Sequence, residues 1–368
     1  MNILITGASG FIAKNLIVSL NRNDKYEIIE FSRESSQSEL KEGVEKADFI
    51  FHLAGVNRPK NEGEFKEGNS DLTLQLCKLV KGTGKNIPIV YTSSIQAEQD
   101  NPYGKSKLIA ETHLTTLHND TGNSIYIYRL PNVFGKWCKP NYNSVVATFC
   151  HNIANDLPIQ INNPEAEVNL VHIGAVVTSF LDTLSNLPKN TLHIDVEPTF
   201  KITLGELAET LYSYKKSRET LVTEPVGDGF NRVLYATYIS YIKPEDFSYS
   251  VVKHEDPRGM FVEMLKTKDS GQFSFFTAHP GITRGGHYHH CKTEKFLVIK
   301  GKAKFGFRHI VTDEVSELIT NGDKPEIVET VPGWSHDITN IGDEELIVML
   351  WANENFDPKA PDTVAHKV

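Results

Sequence analysis

Short runs of consecutive apolar residues alternate with stretches of helical periodicity through the first two-thirds of the chain. The apolar runs predict strands over 2–6, 26–31, 49–53, 87–91 and 125–129. Segments between them, such as 14–22 and 70–81, repeat apolar residues at three- and four-residue intervals, as amphipathic helices do. Strand–helix alternation predicts parallel strands joined by crossover helices, a doubly wound α/β sheet of Rossmann type. Beyond about residue 244 the pattern shifts to period two. Short alternating runs predict strands over 259–265, 272–277, 295–299, 302–308, 327–331 and 345–351, separated by turn pairs such as Lys300–Gly301 and Pro332–Gly333. Many short strands at close spacing predict an all-β antiparallel barrel or jelly roll. The run SYIKPEDFSYS (240–250) separates the two textures, so two domains are expected, 1–243 and 244–368.

The 368 residues suffice for two cores. A net charge of −9 argues against a nucleic-acid surface. No apolar run approaches the ~18 residues of a membrane span. The opening NILIT leads straight into a glycine turn, unlike a signal peptide. Cys77, Cys138, Cys150 and Cys291 form no CxxC pair and read as reduced thiols of a cytoplasmic protein. The expected partners are small molecules, with neither nucleic acid nor membrane among them.

The first strand ends in Thr6-Gly7-Ala8-Ser9-Gly10-Phe11-Ile12-Ala13, which opens a helix. Gly7 allows the tight turn, Gly10 lets a pyrophosphate approach the backbone, and the small residue at 13 lets helix lie on strand. The helix N-terminus, around Ser9, Gly10, Phe11 and Ile12, then presents unpaired N–H groups to the anion. The second strand ends in Phe31-Ser32-Arg33. An acidic residue there would bind a ribose 2′-hydroxyl. A hydroxyl and a guanidinium suit a 2′-phosphate, which favours NADPH/NADP over NAD. The alternative for Arg33 is a solvated surface charge.

Downstream, in VYTSSIQAEQDNPYGKSK, Tyr103 and Lys107 are four apart and share a helix face. A lysine cation is expected to lower a tyrosine pKa from about 10, so that the phenol trades a proton with a carbonyl oxygen held by Ser94, or failing that Ser93. These residues, with His52-Leu53-Ala54-Gly55, Asn69 and RLPNVFG (129–135), resemble the extended short-chain dehydrogenase/reductases of the nucleotide-sugar branch. The resemblance covers residues 1 to about 240. It implies cofactor contacts from Leu53, Ala54, Gly55, Tyr103 and Lys107, and a Ser94–Tyr103–Lys107 triad. Two departures stand out: Ala13 replaces the third glycine, and only fourteen residues separate Arg33 from Asp48, so the usual third strand is trimmed. Sugar-nucleotide 4,6-dehydratases carry acid groups directly after the triad hydroxyl. Ile95 and Gln96 stand there instead, which disfavours dehydration and favours net reduction.

The C-terminal part carries Gly281, His287, His289, Glu294 and Gly301, then Pro332-Gly333-Trp334-Ser335-His336 with Asn340. Alternate positions 287 and 289 point to one face of a strand, and a glutamate and a distant histidine can close a set of ligands. Three imidazoles and a carboxylate suit zinc or another divalent metal. The double motif resembles a cupin. DPRGMFVEML (256–265) and GITRGGHYHH (281–290) resemble instead the metal-free sugar-nucleotide 3,5-epimerases, in which the second histidine-bearing run supplies a catalytic base. His287 is therefore either a ligand or a base. His290 points the other way and reads as structural or solvent-facing. Cys291 falls on the ligand face by alternation. Arg258, Arg284 and Lys295 could meet a phosphate or an enolate, and Phe305 and Phe307 read as core.

Epimerisation next to a carbonyl needs a ketone, and the reductase consumes one. The order of the two domains over the full length resembles the bifunctional capsular polysaccharide enzymes. That resemblance implies C3 epimerisation of UDP-2-acetamido-2,6-dideoxy-4-hexulose in the cupin, then NADPH-dependent C4 reduction to UDP-2-acetamido-2,6-dideoxy-L-talose for N-acetyl-L-fucosamine in capsule. It also implies zinc and a homodimer. The alternative is a ketosugar reductase whose cupin serves dimerisation or ligand sensing.

Overall fold

The computed structural model describes residues 1–188 and 192–368. It divides into two compact units, Met1–Leu211 with Gly229–Ile242, and Tyr212–Asp228 with Lys243–Val368. Sequence texture places a boundary next to this second junction. The structure adds an excursion: 212–228 joins the second unit, where a short strand within it pairs with a strand of that unit.

In the first unit, β1 (Asn2–Thr6), β2 (Glu27–Phe31), β3 (Phe49–His52), β4 (Ile89–Ser94) and β5 (Ile125–Leu130) form one sheet in the order β2-β1-β3-β4-β5. Every pairing is parallel. β3 lies directly beside β1, so the strand missing from the short 33–48 connection is absent from the sheet as its length predicts. The crossovers include α1 (Phe11–Leu20), α2 (Gln37–Lys46), α3 (Leu72–Thr83) and α4 (Pro102–Thr121). Period two splits the strand residues between two cores. Ile3, Ile5, Phe49, Phe51 and Val90 enter one with Leu16 and Phe180, and Leu4, Ile50, Ile89 and Tyr91 enter the other with Leu76 and Leu114. Both faces are covered, which is why these strands read as continuous apolar runs. Further elements are β6 (Asn132–Phe134), α5 (Val145–Ala154), β7 (Glu167–His172), α6 (Ile173–Asn186), β8 (Thr199–Thr203), α7 (Leu204–Thr220) and α8 (Gly229–Ile239), with β6, β7 and β8 forming a small separate sheet.

In the second unit, two sheets share one core. The first comprises β9 (Val222–Thr223), β10 (Lys253–Asp256), β11 (Gly259–Thr267), β12 (Gln272–Ala278), β14 (Glu294–Lys300), β17 (Ile327–Glu329) and β19 (Leu346–Ala352). Its order is β10-β11-β12-β19-β14-β17, and β9 pairs with β11 at Lys266↔Val222, which draws 212–228 into this unit. The second is β16-β15-β18-β13-β20, from β13 (Thr283–Tyr288), β15 (Lys302–His309), β16 (Val315–Asn321), β18 (Trp334–Asn340) and β20 (Val364–Ala365). Phe276, Phe296 and Val348 from one sheet pack with Phe305 and Ile338 from the other, and Phe307 lies at the margin of this core. Except for the short β9, the pairings are antiparallel, an all-β unit of two sheets.

Two candidate sites

The helix carrying Tyr103 and Lys107 starts where the sequence places a cap. Asn101 has extended backbone, its side chain accepts the Gly104 N–H at 2.8 Å, and Pro102 takes the first helical position. Starting there, α4 aims Tyr103, Lys107 and Glu111 along one face toward the C-terminal end of β4. Tyr103 and Ser94 share a hydrogen bond. Ser94 and Ser93 are both buried, and their hydroxyls take different partners. Ser93 donates to Glu111 at 2.5 Å.

Lys107 is buried and donates to the Thr92 carbonyl at 2.9 Å, with its ammonium 4.9 Å from the centre of the Tyr91 ring. Burial holds its pKa down to about 8, and Glu111 pulls it back up. Tyr103 differs from the sequence expectation. Burial pushes its pKa above the ordinary value, opposed by the Ser94 hydrogen bond, and the lysine does not reverse this. Burial is the larger cause at this phenol. A phenol that stays protonated is suited to giving a proton away.

Glu111 was not singled out from the sequence. It is buried, accepts Arg129 Nη2 at 2.7 Å and Nε at 3.0 Å, and lies one further helical step beyond Lys107. The spacing Tyr103, Lys107, Glu111 carried that signal. His52 stands behind the site, bridging Thr6 at 2.7 Å and Thr73 at 2.8 Å. Burial lowers its pKa to about 3, so it is a neutral strut.

The glycine turn fits a dinucleotide. Gly7 has φ +70°, and a Cβ there would meet the Ala54 backbone at 2.8 Å. Ser9 and Gly10 are exposed at the helix start, while Phe11 and Ile12 are half-buried against the core behind it. Leu53, Ala54 and Gly55 follow β3 beside the turn, with the Leu53 N–H on the Thr6 carbonyl at 3.2 Å. A Cβ on Gly55 would lie 3.0 Å from Lys107 Nζ and fill the space between cradle and triad. Ser32 is half-buried and accepts the Glu34 N–H at 3.3 Å, and Arg33 is exposed beyond β2.

In the second unit, His287, His289, Glu294 and His336 come together, with one ligand atom from each lying within 4.8 Å of the others. His287 on β13 and His336 on β18 are directly opposite in register, just after a shift between Gly285 and His287. β13 ends at Tyr288, so His289 reaches the cluster from the following turn and not by strand alternation. Glu294 opens β14.

The donor set fits a cation. His289 Nδ1 faces the Asp362 carbonyl at 2.5 Å, and a carbonyl can only accept, so Nδ1 carries the proton. His289 Nε2 is 3.2 Å from Glu294 Oε2, and His336 Nε2 is 3.3 Å from the same oxygen. Three imidazoles and a carboxylate gathered this closely suit a divalent cation. His287 is the least buried of the four, and burial with the neighbouring His336 and His289 lowers its pKa to about 4.

A cavity of about 530 Å³ opens beside the cluster, lined among others by His287, Glu294, His336, Arg258 and Arg284. Arg258 is already paired with Asp256 at 2.6 Å. Lys295 points away and pairs with exposed Glu329. The lysine near the ligands is Lys292, buried, with Nζ 3.0 Å from Glu294 Oε1, and the sequence reading missed it. Cys291 and His290 are exposed and outside the cluster, because the strand has ended before them.

Residues 3–194 match the NAD dependent epimerase/dehydratase family, and residues 254–364 match the polysaccharide biosynthesis C-terminal domain. The chain is 59% identical, over all of its length and 99% of the relative's, to UDP-2-acetamido-2,6-beta-L-arabino-hexul-4-ose reductase of Pseudomonas aeruginosa. It superposes with TM-score 0.94, at 44% identity and full coverage of both chains, on the crystal structure of capsular polysaccharide assembling protein CapF from Staphylococcus aureus. A UDP-glucuronic acid 4-epimerase from Bacillus cereus shares the fold alone, with TM-score 0.54 at 17% identity over 58% of this chain and 84% of its own. No helix among the described residues is long and apolar enough to cross a membrane. The turn, the Ser94–Tyr103–Lys107 group and the full-length likeness agree: the chain belongs to the NAD dependent epimerase/dehydratase family, extended by a polysaccharide biosynthesis C-terminal domain.

Proposed function

We propose that the chain is a bifunctional UDP-sugar enzyme. The barrel, read as a cupin, epimerises C3 of UDP-2-acetamido-2,6-dideoxy-4-hexulose, and the N-terminal unit reduces the C4 ketone to give UDP-2-acetamido-2,6-dideoxy-L-talose for capsular polysaccharide. The observation that carries the reductive half is the grouping of buried Ser94, Tyr103 and buried Lys107 at the end of β4. The substrate class comes from the full-length relative, named as a reductase of such a UDP-hexulose.

NADPH, held by Gly7, Ser9, Gly10, Phe11, Ile12, Ser32, Arg33, Leu53, Ala54 and Gly55, supplies the hydride. Ser94 holds the C4 oxygen, and Tyr103 gives it a proton as negative charge develops there. Lys107 lowers the cost of the phenolate left behind and orients the ribose. In the barrel, His287, His289, Glu294 and His336 hold zinc, a Lewis acid toward an enolate oxygen. All four offer ligand atoms to one point, which favours the ligand role for His287 over the free base. The protein works as a cytoplasmic homodimer.

Product stereochemistry tests this reading. Proton NMR of the product made from the 4-ketosugar and NADPH is expected to show inversion at C3 together with reduction at C4. Reduction with C3 retained supports a barrel that serves only dimerisation or ligand sensing.

A further inference from the structure

The segment after the last long strand of the barrel returns to the histidine cluster. β20 pairs with β13 at His287↔Ala365 and Tyr288↔Val364. The His366 N–H donates to the Gly286 carbonyl at 2.9 Å, and Ser335 donates to the His366 carbonyl at 2.5 Å.

Asp362 makes the densest contacts. Its Oδ1 accepts the His290 N–H at 2.8 Å, and its Oδ2 accepts those of Cys291 at 2.7 Å and Lys292 at 2.8 Å. Three successive N–H groups converging on one anion make a backbone nest, and bonds to an ionised acceptor are the stronger kind. The backbone carbonyl of the same residue accepts His289 Nδ1–H at 2.5 Å. Lys292, whose N–H is in the nest, extends its side chain to Glu294 Oε1 at 3.0 Å.

We propose that Asp362 is a positioning residue for the barrel's metal site, clamping the 289–292 turn so that His289 and Glu294 meet the ion together. The proposal rests on the reading of the cluster as a metal site. Through its carbonyl, Asp362 fixes the His289 tautomer and leaves the Nε2 lone pair for the ion. Through its carboxylate it holds the turn that carries His289 and Lys292, and Lys292 orients Glu294. None of the four ligands touches the Asp362 carboxylate directly, so its loss leaves the donor set chemically complete but loosely aimed.

The test uses the full-length chain with Zn(II) and Co(II). Chelator competition is expected to show Asp362→Ala weakening zinc binding by about 10- to 100-fold, the range for outer-shell partners. The Co(II) absorption bands shift and weaken in the same variant. Asp362→Asn keeps one acceptor and falls between, and Lys292→Met, which frees only Glu294, has a smaller effect. NADPH affinity stays at the wild-type value in all three. Should Asp362→Ala fail to fold, Asp362→Asn decides. Wild-type zinc affinity and an unchanged cobalt spectrum in the folded Asp362 variants overturn the clamp. A wild-type chain that binds neither ion overturns the metal reading itself, a separate result.

Discussion

The two candidate sites are built in opposite ways. In the N-terminal unit, Tyr103, Lys107 and Glu111 come from one helix and Ser93 and Ser94 from the preceding strand, and the needed cation, Lys107, is part of the chain. In the C-terminal unit, the four clustered residues come from β13, the turn after it, β14 and β18, and rings and carboxylate face one another. The first site is closed in charge by the sequence itself. The second gathers three imidazoles and a carboxylate, and under the proposal above an ion completes it and a residue of the returning segment steadies it. One site should therefore tolerate loss of metal and the other should not, and each should survive damage to the other.

The largest effect should come from Tyr103→Phe, which removes the proton donor without disturbing either core. NADPH oxidation with the ketosugar is expected to lose about 10³-fold in kcat/KM, within the span of general-acid contributions. Zinc content, by elemental analysis, should not change. A variant that reduces at the wild-type rate breaks the assignment of the first site.

His336→Ala attacks the other side of the comparison. It removes a buried imidazole opposite His287 and should weaken zinc binding by about 10²-fold or more, as read by chelator competition. NADPH affinity, by fluorescence titration, should remain at its wild-type value. A parallel loss of both would show that the sites are not independent.

Gly7→Ala sharpens the claim that the cradle is steric. The residue sits at φ +70° against the Ala54 backbone. A strain of about 1–2 kcal/mol, expressed as displacement of the 53–55 turn, should raise the NADPH Kd about 20-fold, with zinc affinity untouched.

The smallest effect is the response to pH. Burial brings Lys107 down to about 8, and in the proposed reduction its charged form is the one that eases the phenolate left on Tyr103. A lowered lysine pKa means the cation is lost as pH rises through that value. The cationic fraction falls about tenfold from pH 7 to 9, and kcat/KM for reduction should fall with it. Lys107→Arg, which stays charged, should remove this alkaline limb.

The same contrast governs how much was legible in the sequence. β1 is predicted to the residue, because a strand covered on both faces is a continuous apolar run. The Tyr103–Lys107 pair is legible because helical spacing is local. The direction of the Tyr103 shift was not, since it depends on burial. In the barrel, His287, His289, Glu294 and His336 are visible as a motif and do converge. Cys291 was misjudged because strand alternation was carried past Tyr288, where the strand stops, and Lys292 was not singled out. Asp362 has no local signal: its partners lie some seventy residues earlier, and only the fold brings them together. β16 and β18 escaped the period-two reading. β16 is largely exposed along its length, and β18 is interrupted in pattern by two consecutive buried polar residues, Ser335 and His336.

The central claim is that proton exchange at C3 belongs to the barrel and proceeds without hydride transfer. Proton NMR of the 4-keto UDP-sugar in D₂O, with zinc-loaded enzyme and no NADPH, tests it most directly. The account predicts loss of the C3 proton signal, at the same rate in Tyr103→Phe as in the wild type, and none after zinc is stripped. A C3 proton that persists until NADPH is added, or that stops exchanging in Tyr103→Phe, would contradict it.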